Sequence, residues 1–570
     1  MDNYKAVICC VNSKYIHSSL APWCLFAGIK EYCNSTITPV VVEGTINEKI
    51  ENIQNRIVAE KPNVVGFCAY IWNIGVVNKL AEFLKATMPN VQIVLGGPEV
   101  SYNAENVLNE NQNVDYVVSG EGEVAFANLV TAISNKELPQ NISGVSYRNK
   151  DELVIAEPAI LETDPVSPYC EDFFENLKGR IAYLETSRGC PYSCAFCLSG
   201  RCGKARFFDI DRAKNDIILL ANSGAQTIKL VDRTFNANKA RAKELYQFII
   251  DNYKVKIPEN VCFHFEIAGD ILDDETINIL SSAPVGLMQL EIGLQSFNEK
   301  TLAYINRKTN TQRLCQNILK LTKNNNMHIH IDLIAGLPYE DLNSFKNSFN
   351  TAFSLKSDML QLGFLKLLYG APMRENPEQF PCEYKKTAPY EVIKTPWINE
   401  DELAQLHRLE DALDRVHNSG RFKRTTEYAL CQSGLTPFDF FDGFANYIKN
   451  KKIEKIPLDM YTQLLFEYIK TLKNIDKVVL RDKMVCDRIC TNASGKLPQA
   501  LQIKDENFRV YKIALKENPK YKQPDKVVRG IAILYSQQSV AYVDYVDKNN
   551  STGEYPLNIV PISELEADKN

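Results

Sequence analysis

No apolar run in this chain approaches the ~20 residues of a membrane-spanning helix, so a transmembrane protein is not expected. The first residues, Met1-Asp-Asn-Tyr-Lys5, lack the basic and apolar regions of a secretory signal, and a cytoplasmic location follows as the expectation. Charge of one sign is scarce too. Sixty-five Lys and Arg against 70 Asp and Glu leave a net charge of −5, which offers no global attraction to phosphate backbones and makes a nucleic-acid partner unexpected. Internal repeats and low-complexity tracts are absent, and 45% hydrophobic with 24% charged residues is ordinary for a globular protein, which argues against fibrous and disordered classes. Without an export signal, the 16 cysteines read as free thiols and ligands, because a reducing compartment opposes disulfides. Cys9, Cys10, Cys24, Cys33 and Cys68 stand in apolar surroundings and read as inert core residues. At 570 residues the chain exceeds one hydrophobic core and calls for roughly three to four domains.

What is present is concentrated in one segment, Ser187-Arg-Gly-Cys-Pro-Tyr-Ser-Cys-Ala-Phe-Cys-Leu198, where Cys190, Cys194 and Cys197 follow a three-then-two spacing. Three thiolates on one loop suit a four-iron cluster whose fourth iron stays open to bind a small molecule. A structural zinc site would want four ligands in two pairs, and no second Cys-x-x-Cys follows at zinc-finger spacing. At these residues the chain resembles the radical S-adenosylmethionine enzymes. The resemblance implies a 4Fe-4S cluster, S-adenosylmethionine (SAM) chelated to the open iron, a 5′-deoxyadenosyl radical, and Phe196 beside the adenine.

Ahead of that motif, apolar runs at 6–11, 38–43, 64–69, 91–95 and 115–118 alternate with amphipathic stretches such as 47–61 and 77–88. Continuous apolar strands separated by helices indicate a parallel sheet covered on both faces, a doubly wound Rossmann-like domain whose ligand sits beyond the carboxyl ends of the strands. The loops at those ends are 12–18, 69–73, Gly96-Gly-Pro-Glu99 and Ser119-Gly-Glu-Gly-Glu123. This domain, placed directly before the cysteine motif, resembles the cobalamin-binding domain of the cobalamin-dependent radical SAM enzymes. That likeness gives cobalamin contacts to Ala69, Tyr70, Trp72, Gly96, Gly97, Gly120, Glu121 and Gly122. The Asp-x-His-x-x-Gly segment of cobalamin mutases is missing, and the nearest histidine, His17, reads as a loop or cap residue.

From residue 181 the alternation restarts, with strands expected at 181–187, 227–232, 261–267, 286–293, 328–334 and 359–367. Six βα units make a partial (β/α)6 barrel with its active groups on the carboxyl rim. Glu291-Ile-Gly-Leu-Gln-Ser-Phe-Asn298 followed by Ile305-Asn-Arg-Lys308 is similar to the SAM-holding segments of these enzymes, and Gln295 and Arg307 inherit that role. An arginine grips a carboxylate through two parallel hydrogen bonds. Glu266 and Asp332 stand where such proteins accept from the ammonium or ribose hydroxyls. The family's Gly-Gly-Glu after the second strand is absent, and Asp232 is expected to replace its carboxylate. Tyr369 and Gly370 are candidates for the wall of a substrate cavity. No residue is singled out as catalytic, His264, His328 and His330 included.

After Pro372, Leu403, Leu406, Leu409, Leu413 and Val416 recur at helical spacing before Gly420, and helices at 439–449 and 458–472 precede a hairpin at 527–535 and 540–546. Cys486 and Cys490, four apart, read as packing, and the basic run from Lys449 as a solvated turn. The expected organisation is a cobalamin domain at 1–140, a linker at 141–178, a radical SAM barrel at 179–373, and a mainly helical α+β capping domain at 374–570. The resemblance implies a methyltransferase acting on an unactivated carbon, or alternatively a cyclase, a rearranging enzyme or a methylthiotransferase. A small-molecule or peptide substrate is expected, with an electron donor such as flavodoxin or ferredoxin.

Overall fold

The computed structural model describes residues 4–567, apart from 151, 178, 203, 452–455, 518–519, 522–529, 547, 550 and 551. The chain forms two compact units, Met1–Leu272 with Leu302–Lys308 and Phe364–Pro396, and Asp273–Thr301 with Thr309–Gly363 and Trp397–Asn570.

The first unit opens with β1 (Tyr4–Asn12), β2 (Ile37–Thr45), β3 (Val64–Cys68), β4 (Gln92–Gly96) and β5 (Tyr116–Val118), separated by α1 (Ala21–Tyr32), α2 (Ile50–Ala59), α3 (Ile74–Thr87) and α4 (Ala104–Glu110) and followed by α5 (Gly122–Ser134). These five strands are parallel in the order β2-β1-β3-β4-β5. Order reverses between β1 and β3, the switch point where a doubly wound sheet opens a crevice at its carboxyl edge. Val7, Val65, Ile93 and Val117 of the sheet pack on Ile53, Ile57, Leu80 and Leu84 of α2 and α3. Cys9, Cys10, Cys24 and Cys68 are buried here, while Cys33 is half-buried and donates to the Ala127 carbonyl at 3.3 Å.

Two more strands, β6 (Val145–Asn149) and β7 (Glu152–Val154), extend the sheet antiparallel to β5. They fall inside the stretch read from sequence as a linker. Their apolar runs are too short to signal a strand, and their pairing depends on β5 already being in place.

Next come β8 (Ala182–Leu184), the short antiparallel pair β9 (Ser187–Arg188) and β10 (Arg206–Phe207), β11 (Thr227–Leu230) and β12 (Cys262–Ile267). Strand β11 pairs in parallel with both β8 and β12. β8 is tied to the amino-terminal sheet: Ile181 N donates to Ile16 O at 2.8 Å, Ser18 Oγ to Ile181 O at 2.6 Å, and Arg180 pairs with Glu43. That seam explains why the first barrel strands belong to the same unit as the Rossmann-like sheet.

In the second unit β13 (Met288–Gln295) and β14 (His328–Ala335) pair in parallel, with Glu291 opposite His330 and Gly293 opposite Asp332, and β15 (Met359–Phe364) follows. Beyond them lie helices at Glu400–Leu413, Lys423–Ser433, Pro437–Lys451, Leu458–Ile469 and Lys477–Thr491. The first carries a capping box between Asn399 and Glu402 and runs through a single π turn, Asp414–Asn418, toward Gly420, whose φ of +67° lies in the left-handed region. Cys486 and Cys490 are buried on the last of these helices. The carboxyl-terminal sheet has three antiparallel strands, Gly530–Leu534, Ser539–Val543 and Asn558–Pro561, one more than the hairpin expected from sequence. Residues 527–529 of that hairpin, and Lys452 of the basic run, lie outside the described residues. Among the described residues no helix is long and apolar enough to cross a membrane.

Candidate cofactor sites

At the carboxyl edge of β1, β3, β4 and β5 the first unit holds a cavity of about 660 Å³. Gly66, Cys68, Val94 and Gly96 form its floor, and the loops after β3, β4 and β5 bring Tyr70, Trp72, Gly97, Gly120, Glu121 and Gly122 to its walls. The opposite wall comes from the ends of β8 and β11: Tyr183, Glu185, Arg188, Val231 and Arg233.

Two of the wall's turns are closed by backbone packed against glycine. Gly97 has a φ of +111°, and a Cβ there would stand 2.6 Å from the Ala69 carbonyl oxygen. Gly120, at +84°, would place one 2.3 Å from the Ala159 carbonyl oxygen. Neither position admits an L side chain. Backbone hydrogen bonds bind the loops together, from Ala69 N to Gly96 O at 2.7 Å and from Ser101 N to Gly97 O at 3.1 Å, and Gly120 N donates to Ser101 Oγ at 3.3 Å.

Trp72 remains 47% exposed, and its ring stacks on Tyr70 at 4.4 Å and 8°. An aromatic face open to a glycine-lined cavity fits a large, flat ligand that covers it. His17 also lines the cavity, with its Nδ1 2.7 Å from the Tyr183 hydroxyl, and burial lowers its pKa.

Ala69 is the exception among the residues assigned to this ligand from sequence. It is fully buried behind the wall, and its part is to carry the backbone against which Gly97 closes.

Five charged residues join this cavity to the cysteine loop. Arg188, two residues before Cys190, donates to Glu121 at 2.5 Å, to Glu123 at 2.5 Å, and through two nitrogens to Glu185 at 2.8 and 2.9 Å. Arg206 reaches the same Glu121 at 2.8 Å. The planar fork of the guanidinium holds two carboxylates from the turn after β5 and one from its own strand end in fixed directions.

In the loop itself, Cys190 and Cys194 are buried and Cys197 is half-buried. Ala195 between them is clamped on both sides: its N donates to Ile305 O at 2.9 Å and its carbonyl accepts from Met373 N at 3.0 Å. Cys190 Sγ lies 3.4 Å from Thr234 Oγ1, and Arg307 Nη1 lies 3.7 Å from Cys194 Sγ. Burial pushes the Cys194 thiol up, while the adjacent Arg307 opposes that shift. The donor set fits a cationic metal cluster, which alone would hold all three sulfurs as thiolates. Phe196 is half-buried on the same loop.

Asp232 requires a correction. It is 1% exposed, and its carboxylate accepts from Thr186 N at 3.0 Å, Thr186 Oγ1 at 2.7 Å and Ser187 Oγ at 2.5 Å. Burial lifts it to about 6, against those hydrogen bonds. It therefore braces the start of the cysteine loop and does not present its carboxylate to a ligand. Glu266 pairs with Lys229 on the neighbouring strand at 3.5 Å. Tyr369 and Gly370 do not line the cavity described here: Tyr369 meets Tyr390 edge to face, and Gly370 abuts the Tyr102 ring.

Gln295 and Asp332 belong to the second unit. Gln295, at the end of β13, holds a φ of +73°, is 9% exposed, and keeps its buried Oε1 without a hydrogen-bond partner. A strained backbone and an orphaned buried acceptor mark a place that a ligand donor completes. The next residue, Ser296, donates to Glu340 at 2.6 Å, as does Ser348 at 2.9 Å, and burial lifts Glu340 to about 7. Nearby, His330 Nε2 stands 2.9 Å from Asp332 and its Nδ1 4.0 Å from Glu291. Glu291, His330 and Asp332 thus bring their ligand atoms within 4.8 Å of one another. Sequence reasoning missed Arg188, Glu123, Glu185, Thr234 and Glu340. The repeated glutamates of Glu121-Gly-Glu123 were the one visible signal among them.

Three family profiles match the chain: a B12 binding domain over residues 11–130, the radical SAM superfamily over 184–352, and a family of unknown function, DUF4080, over 378–538. The cobalamin-dependent radical SAM methyltransferase TokK of Streptomyces tokunonensis is 26% identical over 452 residues, 72% of this chain and 64% of that protein. An anaerobic magnesium-protoporphyrin IX monomethyl ester cyclase of Synechocystis is 28% identical over 259 residues, 43% of this chain and 50% of that protein. The matches thus span less than two thirds of these relatives' own length. Among solved structures, the radical SAM methyltransferase TsrM of Kitasatospora setae, with cobalamin and a 4Fe-4S cluster bound, superposes with a TM-score of 0.55 at 17% identity over 67% of this chain and 76% of that one. The cobalamin-dependent SAM radical enzyme OxsB superposes at 0.59 with 14% identity, over 85% and 78%. A B12-binding domain model directly followed by a radical SAM model, on a fold shared with these structures, makes the chain similar to the cobalamin-dependent radical SAM enzymes.

Proposed function

We propose that this chain is a cobalamin-dependent radical SAM methyltransferase acting on an unactivated carbon of a small molecule or peptide. The observation that carries the reading is the shared wall: loops of the B12-binding domain and the rim segment leading into the cysteine loop line one cavity. When bound, the cluster with SAM supplies a 5′-deoxyadenosyl radical and cobalamin supplies a methyl group.

On this reading Cys190, Cys194 and Cys197 hold the cluster. In the first unit Phe196, Glu266 and Arg307 are assigned to SAM, with Asp232 bracing the loop from behind, and in the second unit Gln295 and Asp332 are assigned as ligand contacts. Gln295 offers its unpartnered amide oxygen to a donor of the ligand, and Arg307 supplies positive charge beside Cys194. Tyr70 and Trp72 offer a flat apolar face to cobalamin, while Gly96, Gly97, Gly120 and Gly122 admit its bulk and Glu121 and Glu123 stay fixed by Arg188. An electron arrives from a reduced donor of the flavodoxin or ferredoxin kind.

Anaerobic incubation of the reconstituted enzyme with methyl-deuterated SAM and a metabolite extract tests the proposal. A compound gaining a labelled methyl group supports it. The similarity to the cyclases favours one competing outcome, a metabolite whose mass changes without label, and that result would replace methyl transfer with ring closure. Methylthiotransfer has less support, because Cys9, Cys10, Cys24 and Cys68 are buried in the sheet and its first helix, where they do not gather as a second cluster loop.

A further inference from the structure

The strap 364–396, which runs from the end of β15 into the region of unknown function at 378–538, touches both cofactor loops of the first unit. Toward the cysteine loop, Met373 N donates to Ala195 O at 3.0 Å, and Arg201, just past the cysteines, donates to Gly370 O and Glu375, each at 2.6 Å. Toward the cobalamin cavity it grips both ends of the loop after β4. Gly370, at a φ of +82°, lies so close to the Tyr102 ring that a Cβ would stand 2.4 Å from it. Arg201 covers the same ring at 4.8 Å. At the other end the Tyr390 hydroxyl donates to the Glu99 carboxylate, both side chains being buried.

Glu99 directly follows Gly96-Gly97-Pro98, all three of which line the cavity. Tyr390 holds a φ of +55°, a costly conformation for a bulky residue, and Arg374 lies 3.4 Å over Tyr369 and 4.5 Å over Tyr390. A strained, buried tyrosine that reaches a single carboxylate at the base of the cavity-lining turn is doing something other than filling space.

We propose that the strap completes the cobalamin site, with Tyr390 as a positioning residue that fixes the Gly96–Glu99 turn through Glu99. This assigns a cofactor-holding role to the first residues of the DUF4080 region, and it rests on the cobalamin reading above. The bond is worth having only when the turn must stay in one conformation. Losing one buried hydrogen bond to a charged group is expected to weaken cobalamin about tenfold.

The test is titration of hydroxocobalamin into anaerobically reconstituted full-length protein, with iron content and thermal midpoint measured alongside. Tyr390→Phe should raise the dissociation constant about tenfold while iron stays at the wild-type level, because the described hydrogen bonds and ring contacts of Tyr390 run to Glu99 and the strap itself. The double variant Tyr390→Phe/Glu99→Gln should bind no more weakly than the weaker single variant, since both act on one bond. Wild-type affinity in Tyr390→Phe would overturn the proposal, and so would a parallel loss of iron and thermal stability, which would make Tyr390 a general packing residue. Failure of the unaltered protein to bind hydroxocobalamin would contradict the cobalamin reading itself.

Discussion

The cavity and the cysteine loop share a wall but are built of different material. The tightest turns of the cavity are set by backbone: two glycines with left-handed φ, carbonyls packed against their α-carbons, and hydrogen bonds that tie Ala69 to Gly96 and Ser101 to Gly97 and Gly120. The cysteine loop is shaped by side chains: three thiols, Asp232 beneath Thr186 and Ser187, and Arg188 among three carboxylates. Backbone-built sites accept almost no substitution at their tightest points, whereas side-chain sites lose function by degrees set by each bond removed.

The sharpest way to break that contrast is Gly120→Val. Its Cβ would meet the Ala159 carbonyl at 2.3 Å, and a β-branched residue cannot hold a φ of +84° without large strain. Cobalamin binding, followed by absorbance, should be lost while iron content persists. Retained cobalamin would mean that the cavity tolerates side chains where its backbone appears closed.

A smaller effect is expected from Arg188→Met, which leaves Glu121, Glu123 and Glu185 facing one another with Arg206 alone to offset them. Removing one partner of a buried charge group costs about 3 to 5 kcal/mol, so the thermal midpoint of the cofactor-free protein should fall by several degrees. Arg188→Lys should fall less, keeping the charge but losing the fork. Equal midpoints for all three proteins would show that the clasp adds nothing to stability.

The smallest effect sharpens the comparison from the second unit. Burial lifts Glu340 from an ordinary carboxyl value to about 7 in the fold, so between roughly pH 4.5 and 7 the native state binds more protons than the unfolded chain. Stability from this group is therefore greatest at low pH, declines as pH rises through that window, and is level above it. Glu340→Gln should flatten the decline and gain roughly 2 kcal/mol at pH 8 relative to pH 5. Chemical unfolding at both values checks this, and an unchanged pH slope would place the titration elsewhere.

Legibility in the sequence followed the same division. Cys190, Cys194 and Cys197 were plain because their chemistry depends on spacing along one loop. The five parallel strands were equally plain, since strands buried on both faces read as unbroken apolar runs. Gly97 and Gly120 showed only as glycines at strand ends; that a carbonyl bars any side chain there depends on Ala69 and Ala159, which local sequence cannot place. Arg188 and Tyr390 were invisible for a related reason. Apart from Glu185 beside Arg188, their partners come from segments 65 to 291 residues away, and a charge or a hydroxyl gives no hint of which register will bring it to a carboxylate. Asp232 was misread because a carboxylate after the second barrel strand looks alike whether it faces a ligand or the loop behind it.

The central claim is that one chain carries two separable cofactor sites in neighbouring walls. It is tested most directly by measuring iron and cobalamin together in anaerobically reconstituted protein and in the Cys190→Ala/Cys194→Ala/Cys197→Ala variant. The account predicts about four irons and one cobalamin per chain for the unaltered protein, and cobalamin without cluster iron or SAM cleavage for the variant. Cluster iron and SAM cleavage that survive the triple substitution, or an unaltered protein that takes up iron but no cobalamin, would contradict it.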